Sequence, residues 1–195
     1  MFHSRIFLAA LTTMFGIASA SAPLRSPAIP PTVKIETPIF TDVYDATMLL
    51  TPHVAQDFVP GPFGDRIFIG LLQGNLTDSK TGALVGHVLP GLGGELGLIS
   101  NVNGKLYTSV DVVIQWVDDH KYAFLNVQGI GSFGNITTAT SYARMETNSA
   151  ARQDLATRVL LISIVVLPPA ASPPNSTLAY FKLSVKSNPD GTFSG

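Results

Sequence analysis

Between Pro60 and Gly131 short apolar runs rich in Val, Ile, Phe and Tyr alternate with Gly, Asn and Asp punctuation, roughly every eight to twelve residues. That rhythm is the signature of an antiparallel meander or barrel. Upstream, residues 39–50 carry Phe40, Val43 and Tyr44 and predict a first strand, and residues 51–64, with Pro52, Pro60 and Pro62, predict a loop. Residues 66–78 predict a second strand, which ends at the turn Asp78-Ser79-Lys80-Thr81-Gly82. Shorter strands are expected at 84–89 and 95–101, on either side of a Pro90-Gly91-Leu92-Gly93-Gly94 bend. Asn103-Gly104 is a strong hairpin signal leading into a strand at 106–117. Asp118-Asp119-His120 then turns the chain into a strand at 122–130. Residues 147–157 predict a loop or one short helix. Residues 158–167 form a near-continuous β-branched run, expected to be a strand buried on both faces. Four prolines within 168–174 end that run before a last alternating strand at 178–187. The fold class is all-β, a single antiparallel β-barrel of about eight to nine strands with little helix, because closure removes exposed edges.

Period-two alternation converts these strands into faces. If Asn75, which opens a sequon, faces solvent, then Arg66, Phe68, Gly70, Leu72 and Gly74 share the barrel interior. Ile67, Ile69 and Leu71 then form an outward apolar stripe that needs cover, so a homodimer is the expectation. The strand at 106–117 has an apolar face of Leu106, Val110, Val112, Ile114 and Trp116. Its other face holds Tyr107, Ser109, Asp111, Val113 and Gln115, and the next strand aligns Tyr122, Phe124, Asn126 and Gln128. Rings plus amides suit a pocket for an oxygenated apolar molecule; they are equally the makings of a solvated wall.

The N-terminus changes where such a pocket works. Residues 1–22 show a basic start (Arg5, with His3), an apolar stretch over 6–17 and a small-residue cleavage site at 18–22, which together read as a secretory signal. The apolar stretch is too short for a span of about 20 residues, so no stable membrane insertion is expected. A proline-rich arm follows at 23–38, and residues 39–195 are assigned to the barrel. Asn75, Asn135 and Asn175 each begin an Asn-x-Ser/Thr acceptor, as expected of a glycoprotein secreted by this route. With no cysteine, the fold must rely on its core alone. Loss of Arg5 with the leader leaves a net charge of about −2 and no basic stripe, so nucleic acid is not an expected partner. Only 13% of residues are charged and 46% are hydrophobic, a balance that points to a large core, an apolar cavity or a covered interface.

Few residues suggest chemistry. His87 lies mid-strand, where a lone histidine is more often structural than catalytic. Glu95, just past the glycine bend, reads as a surface carboxylate, or else as a base or acceptor at a barrel mouth. Asp118-Asp119-His120 reads as a turn, because calcium would need further oxygens from elsewhere. No HExxH, CxxC, GxSxG or phosphate loop is present, which disfavours triad hydrolases. No cofactor or metal is expected.

At Gly64-Asp65-Arg66, Gly74, Gly86-His87-Val88-Leu89-Pro90-Gly91, Glu95-Leu96, Asn103-Gly104, Asp111 and Asp118-Asp119 the chain resembles a family of short bacterial and fungal β-barrel proteins of unknown function. The likeness covers roughly residues 39–164; His120 stands where the pattern has glycine, and Val113 where it has arginine. Among secreted fungal proteins it looks like the hetero-Diels–Alderases of tropolone–sesquiterpene biosynthesis. That resemblance implies a cofactor-independent pericyclase of secondary metabolism, joining an o-quinone methide to a polyene such as humulene. Its substrate would be a small apolar polyene or polyketide-derived molecule. Positioning two apolar partners supplies much of such a rate, and a donor at the quinone carbonyl adds polarisation. On this expectation His87, Arg66 and Gln115 are the catalytic candidates, and Tyr107, Trp116, Tyr122 and Asn126 bind substrate. The alternatives are a non-catalytic lipocalin-like carrier and a secreted surface glycoprotein.

Overall fold

The computed structural model describes residues 28–52 and 57–194, so the expected leader at 1–22 lies outside the described residues. In chain order its strands are β1 (Val33–Ile35), β2 (Phe40–Leu50), β3 (Phe58–Gly61), β4 (Gly64–Ile67), β5 (Ile69–Asp78), β6 (Leu84–Glu95) and β7 (Leu98–Ser100). They continue with β8 (Lys105–Trp116), β9 (Tyr122–Ser132), β10 (Thr137–Thr147), β11 (Leu160–Val166), β12 (Thr177–Lys186) and β13 (Gly191–Phe193). A 3-10 turn at Ala150–Arg152 runs into the one short α-helix described, α1 (Gln153–Ala156). The described residues form two compact units, 28–34 with 192–194, and 35–191. β1 and β13 pair as a two-stranded ribbon.

The larger unit is a closed antiparallel barrel of eight strands in the order β8-β6-β5-β2-β12-β11-β10-β9, with β9 returning to pair with β8. The all-β expectation therefore holds. β3, β4 and β7 extend from the wall, joined to β8 through β7. Gly104 takes a positive φ of 66° in the β7–β8 turn, the conformation expected of Asn-Gly. β3 occupies part of the segment predicted as a loop, and the glycine bend lies within β6, where residues 89–92 bulge out between Val88 and Gly93.

Alternation decides the interior. β8 sends Leu106, Val110, Val112, Ile114 and Trp116 inward, as its apolar face predicted. β11 alternates between buried and more exposed positions, so it is covered on one face rather than both. β10 alternates without a break, yet its inward side chains are Thr137, Ala139, Ser141, Ala143 and Met145. Those mostly small residues leave little apolar signal, and the strand was absent from the sequence-based expectation.

The assigned faces of β4 and β5 are inverted. Asn75 is exposed as assumed, but Ile67, Ile69 and Leu71 are core residues, while Arg66, Phe68 and Leu72 face out. The cause is a β-bulge: Leu49 pairs with Gln73 and Leu50 with Leu71, leaving Leu72 as an extra residue. One inserted residue flips every side chain beyond it to the other face. The apolar stripe from which a homodimer was inferred is thus core. Gly74 does face inward, where Met48 and Val88 pack closely against it.

The Trp116 end is sealed. Arg152, nearly buried, lays its guanidinium 4.3 Å from the Trp116 ring centroid and reaches both carboxylate oxygens of Asp118 (3.0 and 3.1 Å). Ser149 donates to Asp119 (2.6 Å), and Leu155 of α1 is buried beside this seal in the same core. The Asp118-Asp119 pair is therefore a latch for the segment after β10, and the turn reading stands. Among the described residues no acidic–histidine cluster is arranged to hold a metal, and no described helix is long and apolar enough to cross a membrane.

Candidate functional site

Two apolar cavities lie along the barrel interior. The upper one, about 50 Å³, is bordered by Leu50, Ile67, Leu106, Thr108, Phe133 and Glu95 among others. The lower one, about 40 Å³, extends towards Trp116 and is bordered by Tyr44, Met48, Ile114 and Leu125 among others. Val110 and Phe181 line both and stand between them.

Glu95 is the acidic group of the upper cavity. It ends β6; its Oε1 accepts from the Ser109 backbone N–H at 3.0 Å, and the carboxyl also accepts from the Gly97 backbone N–H. Burial pushes its pKa above the usual carboxylate value, and the two N–H donors offset this only in part. Gly97 is required here, since a Cβ on it would fall on Glu95 Oε1. The other polar side chains of the cavity, two threonines, each have a partner of their own. Thr108 bonds Ser141 (2.9 Å), and Thr137 donates to the Gly134 carbonyl (3.3 Å). The arrangement is one carboxyl whose pKa burial raises, set against an apolar cavity; in its protonated form it donates a hydrogen bond to a carbonyl, and in either form it accepts one from a hydroxyl.

The residues expected to line a pocket lie elsewhere. Arg66, His87, Tyr107, Gln115, Tyr122 and Asn126 all project from the outer wall. Three of them share a cross-strand row with Asn75, in the register Asn75–His87–Gln115–Tyr122. His87 Nδ1 meets Asn75 Oδ1 at 2.8 Å, and Gln115 Nε2 donates to the Tyr122 hydroxyl at 3.3 Å. His87 and Asn75 border an open groove of about 430 Å³ with Gln73 and Pro173. Asn126 donates to Asp111 (2.8 Å), and Tyr107 accepts from Asn103 (3.0 Å). Arg66 stands in β4, pairing with Leu98 of β7 away from that row. Trp116 is inside but wholly buried beneath Arg152, with the Tyr44 ring tilted against it at a centroid distance of 5.9 Å.

The sequence favours a surface carboxylate at Glu95 over a base or acceptor at a barrel mouth, and the structure places it against the upper cavity. A signal did exist, in the placement of an acid at a strand end two residues before a glycine. Only the fold shows that Gly97 folds back over it. The sequon asparagines Asn75, Asn135 and Asn175 are all exposed.

No family model and no curated protein matches this chain. It is similar in structure to a protein of unknown function from Clostridium acetobutylicum ATCC 824, with a TM-score of 0.60 at 17% identity over 76% of this chain and 99% of that one. A conserved protein of unknown function from Rhodopseudomonas palustris gives 0.58 at 17% identity, over 76% of this chain and 99% of that one. A β-barrel-like protein from Acinetobacter baumannii AYE gives 0.58 at 13%, over 77% and 98%. At these identities the likeness is one of fold. The relatives' shared architecture is a β-barrel of bacterial proteins whose functions are unknown.

Proposed function

We propose that this barrel takes up the end of a slender apolar molecule bearing one oxygen function, with the oxygen at Glu95. The observation that carries this reading is a single carboxyl, Glu95, held by the Ser109 N–H against a cavity lined almost entirely by apolar side chains. About 50 Å³ admits a narrow chain end rather than a drug-sized ligand, for which pockets run to about 300–1,000 Å³. The test is calorimetric titration with 2-hexanone, using n-hexane as the control. The ketone should bind saturably and weaken as pH rises through the Glu95 pKa, because an ionised carboxylate has no proton to donate. Glu95→Ala should lose about fivefold for the ketone, the worth of one hydrogen bond, and leave the hydrocarbon unchanged. Equal affinities in wild type and variant would remove Glu95 from the reading.

A second reading is the cofactor-independent cycloaddition implied by resemblance, and the same carboxyl favours it. In its protonated form a carboxyl in an apolar cavity can polarise a quinone-methide carbonyl. A tropolone and a sesquiterpene exceed the upper cavity, so this reading requires the mouth beside Phe133 to open. Product ratios and stereochemistry identical with and without protein would sink it. The secretory route belongs to the same proposal and is supported by the exposure of the three sequon asparagines.

A further inference from the structure

The two cavities share two lining side chains, Val110 and Phe181. Val110 comes from β8 and Phe181 from β12, on different parts of the wall. Phe181 is only half-buried although it points inward, so its ring is not clasped as Trp116 is. Its neighbours across the ladder are unequal. On β11 it faces Ile164, whereas on β2 it faces Ala46, which also lines the lower cavity. The methyl of Ala46 leaves the ring its one small inward-facing neighbour across the ladder. A swing of the ring between staggered rotamers towards β2 would join the two voids into one channel.

The polarity of the two voids gives that channel a direction. The upper holds Glu95, Thr108 and Thr137; the lower is apolar apart from Tyr44, whose hydroxyl is already engaged by Arg152. We infer that Phe181 is a gate that sets chain length, so that the barrel's ligand is a linear apolar chain with its oxygen at Glu95 and its tail passing Phe181 into the lower cavity. The inference rests on the small-molecule reading above and adds to it the ligand's shape and the residue that selects it. Phe181 acts here as a specificity determinant, and a minor open rotamer becomes the dominant one when a tail occupies it.

The experiment is a calorimetric titration of the full chain with 2-alkanones from 2-butanone to 2-undecanone, with Trp116 emission followed in parallel. Trp116 is the chain's one tryptophan and touches Tyr44 of the lower cavity, so it reports occupancy there. Affinity should rise about fourfold per methylene while the upper cavity fills. It should then pause over one or two methylenes and resume, and Trp116 emission should change only in the second phase. Ala46→Leu should block the swing and abolish the second phase while leaving 2-butanone affinity within twofold. Phe181→Leu should remove the pause. Circular dichroism establishes that each variant is folded, and the conservative Ala46→Leu and Phe181→Leu changes cover each other if one fails to fold. A length series with no pause and no Trp116 response overturns the gate, as does a pause that neither variant moves. If 2-hexanone binding still depends on Glu95 in that event, the gate alone has failed. If no ketone binds at all, the reading beneath it has failed as well.

Discussion

At Glu95 a single carboxyl reports its surroundings through its proton. Burial raises its pKa above the ordinary 4.5, so the folded chain retains the proton at pH values where the unfolded chain has released it. The stability that follows is fully present below the unfolded value and is lost as pH rises through the folded one. Thermal unfolding against pH should therefore show a decline across that window, which Glu95→Gln flattens. Asp118 and Asp119 have the opposite sign: hydrogen bonds from Arg152 and Ser149, respectively, hold their pKa values down, and their contribution fades as pH falls below 3.8. Gly97→Ala should displace Glu95 and destabilise by about 2 kcal/mol, read by chemical denaturation, because the new methyl meets Glu95 Oε1 and the Tyr107 carbonyl. Gly129 matters for a different reason. It stands between Thr108 and Ser141 in the ladder, and its missing side chain lets their hydroxyls meet. His120 adopts φ 55°, a left-handed conformation that suits glycine. Glycine is what the resembled pattern has there, and His120→Gly should stabilise by up to about 1 kcal/mol in the same assay.

The seal over Trp116 works at the scale of an element. The segment 149–156 has too few residues to be a stable helix by itself, and tertiary contacts hold it. Arg152 supplies several of them, through the Trp116 ring and Asp118, beside Ser149 on Asp119, Gln153 on the Thr147 carbonyl and Leu155 in the core. Arg152→Ala should lower stability by about 2 kcal/mol, the upper range for a desolvated cation–π contact, and shift Trp116 emission to the red as water reaches the ring. An unshifted emission spectrum would show that the seal does not depend on Arg152. The bulge in β5 is an element-scale feature of another kind. No residue type within Leu71-Leu72-Gln73-Gly74 announces it, because it is created by pairing with β2. β10 escaped notice for the reverse reason. It is regular, but its inward Ala and Ser residues are sized for a crowded barrel rather than for hydrophobic contrast.

As a whole molecule, the barrel is closed by the pairing of β8 with β9, a hairpin, while β2 and β12 join residues far apart in sequence. Long-range pairing of that kind should make folding slow, in milliseconds to seconds, measurable by stopped-flow on Trp116. Expression in a eukaryotic secretory system should give a product whose mass falls on endoglycosidase treatment, with Asn75→Gln, Asn135→Gln and Asn175→Gln each removing one step. An intracellular, unmodified product would sink the secretory proposal. The sequence by itself determined the all-β class, the barrel-wall strands other than β10, the Asn103-Gly104 hairpin and the inward face of β8. Those depend on local alternation and turn chemistry, which neighbours along the chain encode. Tertiary structure alone decided that Ile67, Ile69 and Leu71 are core, that His87, Gln115 and Tyr122 stand outside, and that the half-buried Glu95 lines a cavity. Each of these follows from strand register and a bulge, and register is a relation between strands distant in sequence that no single strand carries.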